Sequence, residues 1–157
     1  MQLKLNRPDF DSLRKHVESI YNGNGSFIHG FKHVQSVEQN GICLARQSGA
    51  NLICVRLFAL FHDIRRENDG VDPKHGKRAA EYICQNNGIL FRLDKNLLAK
   101  LVYACEFHAD GLVSEDLTIG TCWDADRLDL IRIGINPQIE LLSTEAAKEF
   151  TNGGRNP

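Results

Sequence analysis

The stretch Asn51–Arg65 reads NLICVRLFALFHDIR. Apolar residues lie on nearly every side of it, and Leu57 to Phe61 is the longest unbroken apolar run in the chain. A helix that is apolar all round has to be wrapped by other elements, so this segment is expected to be the central helix of the domain. It ends on His62-Asp63. His62 falls four residues after Phe58 and seven after Val55, on the same buried stripe. A buried imidazole beside a buried carboxylate needs a partner, because an unpaired buried charge is costly. A divalent cation would satisfy both groups.

Outward from that helix the chain reads as further helical segments divided by Gly, Pro, Asn and Asp clusters. Upstream, Phe10, Leu13, Val17 and Ile20 recur at steps of three and four, which predicts a helix over Asp9 to Tyr21, stopped by Asn22-Gly23-Asn24-Gly25. A second helix is expected from Gly30 to Gln47, with Val34, Val37, Gly41, Leu44 and Ala45 on its face and Ser48-Gly49 at its end. Downstream, Asp72-Pro73 reads as the start of a fourth helix that carries Ala79, Ala80 and Ile83 and stops at Asn86-Asn87-Gly88. A fifth is expected from Asp94 to His108, a sixth from about Cys122 to Ile133, and a last stretch opened by Pro137 toward Phe150. No segment shows sustained period-two alternation with turn chemistry on both sides. The expectation is an all-α bundle of about six to eight helices. It forms a single domain over residues 1–157, with a core over about 25–134, an N-terminal helix over about 9–21 and a flexible tail over about 151–157.

The chain has 157 residues, 19 Lys+Arg against 20 Asp+Glu, and a formal net charge of −1. That balance lacks the basic excess of a dedicated nucleic-acid binder, so no nucleic-acid polymer is expected as a partner. The five cysteines (Cys43, Cys54, Cys84, Cys105 and Cys122) are odd in number, contain no C-x-x-C pair and mostly fall in apolar helical patterns. They read as reduced core thiols of a cytoplasmic protein. Met1 to Pro8 lacks an apolar stretch of signal-peptide length, and no run approaches the ~20 residues of a membrane span, so no membrane partner is expected. Homo-oligomerisation is left open.

Six histidines are present: His16, His29, His33, His62, His75 and His108. His16 has no companion and reads as a surface or core-edge residue. His33 lies near the start of the second helix, four residues after His29, and Asp124 and Asp126 flank Ala125. The set His33, His62, Asp63 and Asp126 offers two nitrogens and two oxygens, suited to Fe, Mn, Co, Ni or Zn.

With these residues in that order, the chain resembles the HD-domain superfamily of metal-dependent phosphohydrolases. The pieces that carry the resemblance are His29-Gly-Phe-Lys-His33-Val, Leu57-Phe-Ala-Leu-Phe-His62-Asp63 and Asp126-Arg127-Leu128, and it spans roughly Gly25 to Gly134. It implies that His33, His62, Asp63 and Asp126 bind a first metal ion. His75 and His108 further resemble the subset with six ligands and two metals, in which Asp63 bridges. The implied function is hydrolysis of a phosphate ester or anhydride in a small phosphorylated metabolite or nucleotide. One or two divalent transition ions would activate water there, with Asp63 as catalytic residue. Arg66, Lys32, Lys74 and His29 are the candidates for holding the phosphate. The sequence departs from one familiar pattern: three residues after Asp63 stands Arg66 rather than a carboxylate, followed by Glu67. Arg127 is expected to form a structural ion pair with an acidic neighbour such as Asp129. Two other functions use the same ligands and stay open: a di-iron oxygenase of the same fold, and a non-catalytic metal-binding module.

Overall fold

The structure, a computed structural model, describes residues 7–21 and 28–153. The Asn22–Gly25 helix stop, residues 1–6 and the tail 154–157 lie outside the described residues. Seven α-helices are present among the described residues: α1 (Phe10–Tyr21), α2 (Phe31–Ser48), α3 (Leu52–Phe61), α4 (His75–Asn86), α5 (Lys95–Phe107), α6 (Leu117–Leu128) and α7 (Glu145–Asn152). Two short 3-10 turns, Asp129–Ile133 and Ile139–Leu141, lie between α6 and α7. The only strand-like pairing among the described residues is an isolated bridge between Asn87 and Phe91. The fold is all-α, as the periodicity implies, and no helix among the described residues is long and apolar enough to cross a membrane.

Helix α3 is the hub. Cys54, Leu57, Phe58, Leu60 and Phe61 have no exposed surface, and α2, α5 and α6 pack around them while α1 lies across α2 and α3. The Asn51 side chain caps its start by accepting from the Cys54 N–H at 3.0 Å. The helix stops at Phe61 rather than Arg65. Beyond it the backbone tightens to three-residue bonds, Ile64 N–H to the Phe61 carbonyl at 3.2 Å and Arg66 N–H to that of Asp63 at 3.0 Å. His62 and Asp63 therefore sit in a turn at the buried end of the hub.

Other boundaries also move. Helix α4 begins at His75, because Asp72 is occupied elsewhere: its carboxylate accepts from Arg78 at 2.6 and 2.7 Å and from the Glu67 N–H at 2.9 Å. Helix α6 begins at Leu117 rather than Cys122, capped by the Asp116 carboxylate on the N–H groups of Thr118 and Ile119. It ends at Leu128, where a 3-10 turn takes over. The last stretch is broken: the Asp124 carboxylate, buried inside α6, accepts from the N–H groups of Ser143 and Thr144 and fixes the chain where Thr144 caps α7.

Close approach is built into two glycines. A methyl group on Gly41 would stand 2.6 Å from a Val55 methyl, so α2 and α3 touch there. A methyl group on Gly76 would stand 2.8 Å from the Cys105 carbonyl, so the start of α4 lies directly on the end of α5. Of the five cysteines, Cys54, Cys105 and Cys122 are buried and Cys84 is exposed; all are free thiols.

Candidate metal centre

Five elements converge on the turn after α3. His33 enters from the first turn of α2, His62 and Asp63 from the end of α3, His75 from the start of α4, His108 from the end of α5 and Asp126 from the last turn of α6. All but Asp126 are buried to within a few per cent.

Each of four imidazoles is oriented through its Nδ1. His33 Nδ1 faces the Asp129 carboxylate at 2.6 Å, His62 Nδ1 the Phe58 carbonyl at 3.1 Å, His108 Nδ1 the Cys105 carbonyl at 2.7 Å, and His75 Nδ1 the Asp72 carbonyl. An acceptor at Nδ1 places the proton there and leaves a lone pair on Nε2. The four Nε2 atoms then meet in two pairs: His33 with His62 at 3.1 Å, and His75 with His108 at 2.9 Å. Two lone pairs at that distance repel, so each pair requires either a shared proton or a cation.

Asp63 stands between the pairs and gives one oxygen to each. Its Oδ2 lies 3.6 Å from His33 Nε2 and 3.7 Å from His62 Nε2. Its Oδ1 lies 3.4 Å from His75 Nε2 and 3.3 Å from His108 Nε2. Asp126 Oδ1 completes the first group, 3.3 Å from His33 Nε2 and 3.5 Å from His62 Nε2. These separations are what donors adopt around one ion with bonds of about 2.0–2.2 Å. Asp63 Oδ1 is buried and makes no hydrogen bond among the described residues, an expensive arrangement unless a cation balances it. The groups His33/His62/Asp126 and His62/Asp63/His108 each gather their ligand atoms tightly enough to hold an ion. The residues present therefore fit a divalent transition metal.

Without a cation the centre is strongly polarised. Burial lowers His33, but the Asp126 and Asp129 carboxylates overcome it and lift the imidazole from its ordinary 6.5 to about 10. His108 is also raised, Asp63 outweighing its burial, whereas burial keeps His75 low. Asp63 and Asp126 lie well below the usual carboxylate range, burial being outweighed by the surrounding imidazoles.

The candidate phosphate-holding residues separate into two sets. His29 reaches the centre, its Nδ1 3.1 Å from Asp63 Oδ2, and Arg66 approaches it, its Nε 3.5 Å from the same oxygen. Lys32 and Lys74 are exposed beside His33 and His75, and no ion pair ties either to the centre among the described residues. The side chains of His29 and Asp126 are each 21% exposed and that of Arg66 14%, so the centre opens along this edge. Glu67 turns away toward Arg78 at 3.7 Å. Arg127 makes no ion pair with Asp129. Its guanidinium donates to the carbonyls of Leu141 and Leu112 and lies over Trp123, while Arg132 takes Asp129 at 2.9 Å. His16 has a partner after all, the Tyr82 hydroxyl at 2.8 Å.

Two contributors escaped the sequence reading. Asp129 orients His33 and is itself held by Arg132. Its signal was there, a carboxylate three residues after Asp126 on the same helical face. The Tyr21 hydroxyl, at the end of α1, lies in the field of Asp63 and Arg66; nothing in the sequence pointed to it.

Compared with known proteins, the chain matches no family model and no curated protein. Among solved structures it is similar to the crystal structure of a protein from an uncultured Thermotogales bacterium, described as a predicted HD superfamily hydrolase. The TM-score is 0.73 at 25% sequence identity, over 93% of this chain and 84% of that one. The all-α fold is thus that of the HD-domain superfamily, the family that the His/Asp order resembles.

Proposed function

We propose that this protein is a metal-dependent phosphohydrolase acting on a small phosphorylated metabolite or nucleotide. The observation that carries the reading is the convergence of four imidazole Nε2 atoms in two pairs, with one Asp63 oxygen turned to each pair. His33, His62, Asp126 and Asp63 Oδ2 would hold one ion; His75, His108 and Asp63 Oδ1 would hold a second. A divalent transition ion bound there lowers the pKa of its water and supplies hydroxide at neutral pH.

The chain's own residues have separable tasks. Asp129 and the carbonyls of Phe58, Asp72 and Cys105 hold the imidazoles in the tautomer that presents Nε2. Phe58 stacks on the His62 ring at 4.8 Å and excludes water from its inner face. Asp63 stays ionised between the two groups and serves as the shared carboxylate; a carboxyl held so low is a weak proton acceptor. His29 and Arg66, along the open edge, are placed to donate to phosphoryl oxygens, where positive charge stabilises the developing transition state.

The test is elemental analysis of the wild type, His62→Ala and Asp63→Ala, set beside hydrolysis of a nucleotide and phosphoester panel. The wild type is expected to retain metal and turn over a member of the panel. Both variants should lose the metal, with affinity down more than the roughly 10–100-fold of a supporting residue. Unchanged metal in both variants overturns the reading. Product that forms only with Fe(II) and oxygen moves it to an oxygenase, and full metal occupancy without turnover moves it to a binding module.

A further inference from the structure

The Tyr21 hydroxyl, Arg66 Nε and Asp63 Oδ1 are among the buried side-chain atoms that make no hydrogen bond within the described residues, and the Tyr21 hydroxyl lies in the field of both Asp63 and Arg66. Asp63 Oδ1 is accounted for by the second ligand group. The other two are donors. Arg66 is anchored by its far end, where Nη1 donates to the carbonyls of Asn68 at 3.2 Å and Gly70 at 3.1 Å. Its Nε is left facing inward, 3.5 Å from Asp63 Oδ2, a loose ion pair without hydrogen-bond geometry. Tyr21 is the last residue of α1, the helix that packs across α2 and α3.

We infer that the Tyr21 hydroxyl and Arg66 Nε–H form a paired donor site that holds a phosphoryl oxygen of the substrate beside Asp63. The inference rests on the phosphohydrolase reading and adds to it that α1 supplies part of the substrate site. A buried donor with no acceptor costs stability, and two of them that both act on or are acted on by Asp63, at a centre fitted for cations, would be satisfied together by an anionic oxygen. Burial and the Asp63 charge push the Tyr21 phenol up, so it keeps its proton and remains a donor across the neutral range. Phenylalanine at this position would keep the ring's packing and remove only the donor.

The probe is inorganic phosphate, titrated calorimetrically into the metal-loaded wild type, Tyr21→Phe and Arg66→Gln, with metal content and thermal midpoint recorded for each. Tyr21→Phe should keep its metal, bind phosphate about tenfold more weakly, as expected for one hydrogen bond to a charged acceptor, and melt no lower than the wild type without phosphate. Arg66→Gln should weaken phosphate at least as much with its metal intact. Phosphate binding by Tyr21→Phe equal to wild type overturns the inference and leaves the metal reading standing. So does a phosphate-free midpoint several degrees below wild type, which would give the hydroxyl a structural partner, or failure of the metal-loaded wild type to bind phosphate. A wild type that takes up no metal overturns both.

Discussion

The two halves of the centre share Asp63 but are built differently. The half formed by His33, His62 and Asp126 draws on α2, the end of α3 and α6. It has a carboxylate of its own besides Asp63, and a third carboxylate, Asp129, behind His33. The half formed by His75 and His108 draws on α4 and α5 alone. Its imidazoles are oriented by backbone carbonyls, and Asp63 Oδ1 is the carboxylate oxygen it is given. The first half is therefore richer in negative charge and is expected to take the first ion more tightly. The second depends on how closely two helices approach.

That contrast can be broken most directly at Gly76. The close approach of α4 to the Cys105 carbonyl leaves no room for a methyl group. Gly76→Ala should cost about 1–3 kcal/mol of stability, and more if the backbone cannot shift. It should separate His75 from His108 and take the metal-to-protein ratio in excess metal from two toward one. The His33 half should keep its ion. A ratio of two in the variant would show that the second half does not rely on this contact.

Asp129→Asn sharpens the comparison from the other side. It removes charge behind His33 while leaving the α4–α5 half untouched. Affinity for the first ion should fall by roughly 10–100-fold, the usual effect of a supporting carboxylate. Affinity for the second ion should change little. Equal losses at both ions, in a titration that resolves them, would mean that the halves do not act separately.

The smallest effect concerns the metal-free protein and pH. His33 is raised in the folded state to about 10 from an ordinary 6.5. Its protonation therefore favours the folded state fully below about 6.5, and that contribution is lost as pH rises through 10. His108 is raised and acts in the same direction; His75 is lowered and opposes it, costing stability as pH falls below its ordinary range. Urea midpoints in chelator should thus decline between about pH 6.5 and 10, less steeply in Asp129→Asn. Metal affinity should run the opposite way, rising with pH as the competing proton leaves. Flat midpoints over that window would remove His33 as the charged member of its pair.

Some of this was legible in the residues and some was not, for reasons that can be named. The apolar run Leu57 to Phe61 could only be a hub, and the hub is where it lies. The order of His33, His62-Asp63, His75, His108 and Asp126 along an all-helical chain pointed to a shared centre, and the fold brings all six together. The start of α6 was missed. Thr118, Gly120 and Thr121 lower its helix propensity, yet buried packing and the Asp116 cap hold the turn. At Gly120 a methyl group would stand 2.8 Å from Ser143, so the residue that reads as a helix breaker is there to let the α7 connection close.

By itself the sequence determined what depends on near neighbours in the chain: which segments coil, which face each buries, and that a histidine and an aspartate stand together at the end of the most buried one. Periodicity and capping act over a few residues, so they can be read there. Only the tertiary structure decided which histidines face each other, that Asp63 offers one oxygen to each pair, that Asp129 rather than a carbonyl orients His33, and that a tyrosine of α1 lies in the field of Asp63. His33 and Asp129 are 96 residues apart, and their 2.6 Å contact is set by the packing of α2 against α6, which no local pattern encodes.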